Sequence, residues 1–297
     1  MQELTCFADD IRRDLLDRQA FTFKHKLMGH PALSLENLGR VLPALPPKQV
    51  FYSSGLLKEG DDFDRASVDH PNGLTIEQTI ENIRTSNSYI MVRAPEADPS
   101  FAPLFQELHA DVDALMRERG VGTRATGAML YLFIASPGSV TPFHIDRYST
   151  FLLQFRGTKE VGVFPQWDPR VISPQVREGF VAHAGVRPEW RPEAETLAQR
   201  FHFNPGDALH IPFVAGHYVR NGLEDVSISM SIIFNTDETV RQSQAMLLNH
   251  RLRSGFRPLG LSPHPVGQAP WRDHLKAGLW AAGSRVAHAL GRGGARG

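Results

Sequence analysis

The chain has 297 residues, a hydrophobic share of 41% and 32 basic against 32 acidic side chains. That length buries a sizeable core, and a formal charge of zero supplies no global field for nucleic acid, an anionic membrane or an acidic partner. The single cysteine, Cys6, makes no internal disulfide, and no apolar run approaches a membrane span or a signal peptide, so we expect a soluble cytoplasmic protein.

Taken in chain order, Phe7, Ile11 and Leu15 recur at helical spacing, and Ser34 is placed to cap a helix that buries Leu35, Leu38 and Leu42 before Pro43. Thr75 and Gln78 read as a capping box ahead of the stripe Ile76, Ile80 and Ile83. A short strand candidate, "YIMV", follows. The clearest helix lies between Ser100 and Gly120: Leu104, Leu108, Val112 and Leu115 share one face, arginines fill the last turn, and Gly120 is placed to end it.

After Gly122 the pattern turns to β. "AMLYLFIA", "VTPFHI", "FLLQF", "KEVGVF", "ALHIPF", "HYVR" and "VSISMSIIF" are short, branched or aromatic, and parted by turn signals such as Pro137-Gly138, Arg156-Gly157 and Asn221-Gly222. Such spacing predicts an antiparallel sandwich or barrel. Residues 165–200 are too long for a hairpin loop and read as an insertion, either a functional lid or disordered. Beyond Asn235, Thr236 is placed to cap one helix, and a second puts Leu275, Leu279, Val286 and Leu290 on one face. This pair is expected to pack on the barrel or on a second subunit. The fold class expected is mainly β with flanking helices: a helical and mixed region over 1–125, a barrel over 126–236, and helices with a frayed arginine-rich tail over 237–297.

One stretch of the barrel carries chemistry. In "TPFHIDRYST", His144 and Asp146 stand at i and i+2 of a predicted strand, which aims both side chains at one face while Ile145 points away. His217, at the start of another strand, supplies a third ligand. Two histidines and one carboxylate on one side of a metal match the facial triad of non-haem iron(II) oxygenases, which leaves the opposite positions free. A structural zinc site would be closed by a fourth ligand, and none is evident. Among 13 histidines an HxD pair also arises by chance, but a carboxylate inside an apolar strand is costly without a cation. Strand parity after the Arg156-Gly157-Thr158 turn places Lys159 with Val161 and Val163. If the valines face inward, Lys159 does too, and a buried ammonium needs an anion.

The run from Thr141 to Pro165, with "NPGDALHIPFVAGHYVRN", resembles the cupin-like branch of the JmjC oxygenases, which contains the asparaginyl hydroxylase of hypoxia-inducible factor. The resemblance implies a double-stranded β-helix, also called a jelly roll or cupin, with iron(II) and 2-oxoglutarate as cofactors. It implies that His144, Asp146 and His217 hold the iron, that Lys159 pairs with the distal carboxylate of 2-oxoglutarate, and that Thr141 supports the same carboxylate. Thr150 and Ser231 stand where that hydroxylase has asparagines near the keto acid, so the contacts at that end differ. Tyr131 is placed either to reach the cosubstrate or to pack, and His210 either to touch substrate or to serve as a hydrogen-bonded core histidine.

The activity implied is oxidation of a C–H bond, most often hydroxylation, on a protein or peptide side chain or a small metabolite. Two rivals stand beside it: a metal-dependent cupin that does not use 2-oxoglutarate, and a non-catalytic ligand-binding barrel. Neither nucleic acid nor membrane is expected as partner. A homodimer through the C-terminal helices is.

Overall fold

Short β-branched and aromatic segments pair antiparallel into two sheets in the computed structural model, which describes residues 3–256 and 262–293. The strands are β1 (Phe21–Lys24), β2 (Val50–Ser54), β3 (Ser88–Arg93), β4 (Thr126–Ala135), β5 (Val140–His144), β6 (Ser149–Arg156), β7 (Lys159–Val163), β8 (Gln199–Phe203), β9 (Asp207–Ile211), β10 (His217–Asn221) and β11 (Ser227–Asn235). A seven-stranded sheet runs β1-β9-β6-β11-β4-β3-β2, and a four-stranded sheet runs β5-β10-β7-β8. From β4 to β11 the chain changes sheet at nearly every connection, which is the winding of a jelly roll, as expected. The helices are α1 (Leu35–Ala44), α2 (Ala66–Asp69), α3 (Ile76–Glu81), α4 (Ala102–Arg119), α5 (Pro174–Val181), α6 (Asp237–Phe256) and α7 (Pro270–Gly293).

The chain divides into two compact units, Met1–Gln166 with Glu189–Thr236, and Trp167–Pro188 with Asp237–Gly297. The first unit holds both sheets and two apolar clusters. In the larger cluster, Ile228, Met230, Ile232 and Phe234 of β11 meet Phe151 and Leu153 of β6 and Leu104, Leu108 and Val112 of α4. The smaller cluster, with Leu152, Val161, Val163, Leu209 and Val219, lies between the sheets. Alternation along β11 thus sends Ile228, Met230 and Ile232 to one side and Ser227, Ser229 and Ser231 to the other, and all of these are buried.

Several local signals act as anticipated. Ser34 caps α1 by accepting the Asn37 N–H, Thr75 and Gln78 form the capping box of α3, and Gly120 ends α4 with a φ of 72°. Others are overridden by partners distant in sequence. Phe7, Ile11 and Leu15 do not form an α-helix. The Asp111 carboxylate accepts the N–H groups of Thr5, Cys6 and Phe7, and Phe7 bridges to His25, which pins this segment in an extended path; only Arg13–Leu15 makes a 3₁₀ turn. Leu35 is exposed rather than buried, and Val41 takes its place in the core beside Leu38 and Leu42.

Residues 165–200 are structured. They contain α5, capped by Ser173, and a 3₁₀ segment at Pro192–Leu197, and they run into β8. In the second unit Glu178 of α5 is buried and ion-paired with Arg253 of α6, which also places Asn249 against the same carboxylate at 2.8 Å. On α7 the buried positions are Asp273 and Ala277, whereas Trp271, Leu275 and Leu279 are exposed; the side chains of Val286 and Leu290 lie outside the described residues. Among the described residues no helix is long and apolar enough to cross a membrane.

Candidate metal centre

β5 and β10 lie side by side with His144 opposite His217, so two residues 73 positions apart in sequence become neighbours through sheet register. Ligand atoms of His144, Asp146 and His217 all come within 4.8 Å of one another. The imidazole rings of the two histidines are 4.2 Å apart between centroids, and His217 Nε2 sits 3.6 Å from Asp146 Oδ2. One feature differs from the expectation: β5 ends at His144, so Asp146 reaches the site from the loop just past the strand rather than from the strand itself.

Both histidines are held as nitrogen ligands. His144 Nδ1 lies 2.8 Å from the Pro142 carbonyl and His217 Nδ1 lies 3.1 Å from the Ala215 carbonyl. A carbonyl only accepts, so each Nδ1 carries the hydrogen and each Nε2 keeps a lone pair for a cation. Burial pushes the His217 pKa down to about 4, with His144 lowering it further and Asp146 opposing, so this ring is neutral at neutral pH. Two imidazoles and a carboxylate fit a divalent transition metal such as iron(II). His144 and Asp146 are only half-buried, which leaves one side of the triad accessible.

A β-bulge shapes the inner wall. His217 pairs with His144, yet Val219 pairs with Thr141, so three steps along β5 oppose two along β10. Simple alternation would put Thr141 and His144 on opposite faces; the extra residue lets both look inward. Thr141 is buried and hydrogen-bonds to the Tyr89 side chain of β3. Tyr89 was not anticipated from sequence as a site residue. Its ring packs against Phe63 and Phe133, Phe63 lies 4.8 Å from the His144 ring, and burial raises the Tyr89 phenol pKa.

The loop before His217 is under backbone strain. Val214 has a φ of 52°, a left-handed conformation that costs a β-branched residue about 1–3 kcal/mol and persists only where the surroundings impose it. Those surroundings are visible: the Val214 N–H donates to the Asp146 carbonyl at 3.2 Å, Gln166 Nε2 donates to the Phe213 carbonyl at 2.7 Å, and the Phe164 N–H donates to the Gly216 carbonyl at 2.8 Å. His210 is a hydrogen-bonded core residue. It is fully buried, its Nδ1 donates to the Thr150 carbonyl, its Nε2 accepts the Asp17 N–H at 2.9 Å, and burial drives its pKa down to about 3.

Lys159 points between the sheets, as parity required. It shares a face of β7 with Val161 and Val163, and Val163 is the register partner of His217. Its ammonium donates to Ser229 Oγ of the opposite sheet at 2.7 Å, and burial alone lowers its pKa to about 7. Ser231, on the same face as Ser229, is buried opposite Tyr131 and Leu152. Thr150 is buried on the same interior wall, where its Oγ1 makes no hydrogen bond. Tyr131 is half-buried and stacks on Phe133 with centroids 6.2 Å apart; burial raises its pKa, and Asp146 is among the groups acting on it. Of the residues singled out by sequence, the structure therefore brings the three ligands together and lines one interior with Thr141, Lys159, Thr150, Ser231 and Tyr131.

A cupin-like domain family matches residues 52–239, more than half of the chain and the whole of the stretch from β3 to β11. The chain belongs to this family. Among solved structures, Escherichia coli YcfD aligns over 90% of this chain and 62% of its own length, with 17% identity and a TM-score of 0.48. The same protein, described as a ribosomal oxygenase and solved with cobalt and 2-oxoglutarate, aligns over 86% of this chain and 57% of its own at a TM-score of 0.46 and 17% identity. Oxalate decarboxylase from Lactobacillus farciminis covers 46% of this cupin-like chain and 35% of its own, at 19% identity and a TM-score of 0.25. This chain thus spans about three-fifths of the length of YcfD. No curated protein matches it.

Proposed function

We propose that this cupin-like protein is an iron(II)- and 2-oxoglutarate-dependent oxygenase that hydroxylates a protein or peptide side chain or a small metabolite. The observation that carries the reading is Lys159: a buried ammonium on the interior wall that also bears the His-Asp-His cluster, with a serine hydroxyl as its hydrogen-bond acceptor and no carboxylate paired with it among the described residues. A buried cation without an anion is expensive, and a ligand carboxylate supplies the missing charge.

The residues present fit both groups. His144, Asp146 and His217 would hold the metal through two Nε2 atoms and a carboxylate oxygen. Lys159 would hold the far carboxylate of the keto acid, with the Thr141 hydroxyl beside it as the motif implies, and the unpaired Oγ1 of Thr150 offers a further polar contact on the same wall. When bound, iron(II) and 2-oxoglutarate supply dioxygen-dependent decarboxylation of the keto acid to succinate, coupled to oxidation of a substrate C–H bond. The chain's own contribution is position and dryness: Leu152, Val161, Val163 and Leu209 exclude water between the sheets, while half-buried Phe63, Tyr131 and Phe133 form an aromatic wall toward the accessible side.

The test is an anaerobic titration of the full chain with iron(II) and then 2-oxoglutarate, followed by visible absorption. We expect a weak charge-transfer band when both are present, and its loss in Lys159→Ala with iron binding retained. Absence of the band in the wild type removes the proposal; a band that survives Lys159→Ala points instead to a cupin that does not anchor a keto acid at this lysine.

A further inference from the structure

The N-terminal segment, before the first strand, reaches the two loops that carry metal ligands. Asp17 is buried and sits in a left-handed conformation with a φ of 54°. Its Oδ1 accepts the Ser149 hydroxyl at 2.6 Å and the Phe213 N–H at 3.3 Å. Its own N–H donates to His210 Nε2 at 2.9 Å, and the other ring nitrogen of His210 donates to the Thr150 carbonyl at 3.1 Å. Asp17 therefore ties together the start of β6, just after Asp146, and the loop just before His217.

Those two loops also touch each other directly, through the Val214 N–H and the Asp146 carbonyl at 3.2 Å. The residue that makes this contact is the strained one. Val214 and its neighbours Phe213 and Ala215 are almost completely buried, so no water can take over their backbone hydrogen bonds. Without the acceptor at Asp17 the Phe213 N–H would be left bare, and a left-handed valine relaxes when its ties are cut. Relaxation there moves the backbone that aims His217 and the carbonyl side of Asp146 together.

We propose that Asp17 is a positioning residue for the metal centre, latching the left-handed Val214 turn so that His217 and Asp146 meet at ligand distance. The inference rests on the metal-centre reading above. Asp17 acts through Phe213, Ser149 and His210.

The test uses cobalt(II) alone, with no keto acid and no turnover, on the purified full chain. Affinity is read by competition with a chelator and geometry by the visible d–d absorption of cobalt. Asp17→Ala is expected to melt cooperatively and to bind cobalt about 10- to 100-fold more weakly, the range usual for a partner behind a metal ligand, with an altered d–d spectrum. Asp17→Asn keeps an oxygen acceptor in place and recovers most of the affinity. Leu38→Ala, in the apolar core and away from every tie described, lowers thermal stability and keeps wild-type cobalt affinity. Should Asp17→Ala not fold, Ser149→Ala removes one donor from the same oxygen and is expected to weaken cobalt by a smaller factor. A folded Asp17→Ala that binds as tightly as wild type overturns the latch, as does an equal loss in Leu38→Ala, or unchanged affinity in Ser149→Ala where that variant is the one read. Wild type that binds no cobalt sinks the metal-centre reading first, and the latch with it.

Discussion

The two faces of β11 are both buried and could hardly be more different. One presents Ile228, Met230, Ile232 and Phe234 to a continuous apolar core shared with β6 and α4. The other presents Ser227, Ser229 and Ser231 to the space between the sheets, opposite a buried lysine and beside Thr150 and Gln154. Water is excluded from both, so polarity on the second face cannot be explained by exposure. The first face stabilises the fold; the second forgoes burial energy for polar groups, two of which, Ser227 and Ser229, accept hydrogen bonds from Gln154 and Lys159.

The comparison breaks most sharply under truncation of the apolar side. Phe151 is fully buried, packs on Phe7, Phe23 and Phe234, and fills the core between β6 and the N-terminal segment. Phe151→Ala is expected to lose about 3–5 kcal/mol of stability, measured by urea unfolding, with any loss of metal affinity in the folded fraction, passed through the His210 ring 5.0 Å away, smaller than that. A change in affinity larger than the change in folding would show that the two faces are not separable.

How much of this difference was legible in the sequence follows from the range over which each signal acts. His144 and Asp146 were readable because their spacing is local, although the strand stops before Asp146. Lys159 was readable because a turn fixes the parity of the residues after it. Thr141 was not readable by parity: the bulge opposite Val219 reverses its face, and only the resemblance to a known motif placed it on the interior. Tyr89 was read merely as part of a strand, since its partner, Thr141, is 52 positions away and nothing nearby announces the contact. β1, β2 and β8 were missed for a related reason. β1 pairs with β9 and β2 with β3, while β8, "QRFHF", carries polar residues within a stretch read as insertion, so each is a strand because of its partner. The unformed helix around Ile11 is the converse case, where Asp111 on α4 accepts the N–H groups of Thr5, Cys6 and Phe7 and holds the start of the segment in an extended path.

A second break runs the other way, changing the polar side at no cost to the fold. Lys159→Met keeps most of the side-chain volume and removes a charge that is buried without a carboxylate partner. Stability without ligand should stay the same or rise, because an unpaired buried ammonium is a burden in the free protein. Affinity for 2-oxoglutarate should fall on the order of 100-fold, the scale for removing one partner of a buried charge pair. Calorimetric titration alongside urea unfolding separates the two quantities. A marked drop in stability with unchanged ligand affinity would make Lys159 a structural residue on a polar wall and nothing more.

The finest test turns on where the lysine keeps its proton. Burial lowers the Lys159 pKa to about 7, well below the usual lysine value, so in the free protein it is charged below pH 7 and increasingly neutral above it. A carboxylate ligand favours the charged form and raises that pKa. Binding above pH 7 must therefore take up a proton, and affinity must weaken as pH rises, by at most about tenfold per unit. Below pH 7 the lysine is already protonated, and this contribution to the pH dependence vanishes. Titration at pH 8 in two buffers of different ionisation enthalpy should show proton uptake in the wild type and none in Lys159→Met. Equal heats in both buffers for the wild type would mean that the ammonium is charged before the ligand arrives, and that the polar face already supplies the counter-charge for which we assign a carboxylate ligand.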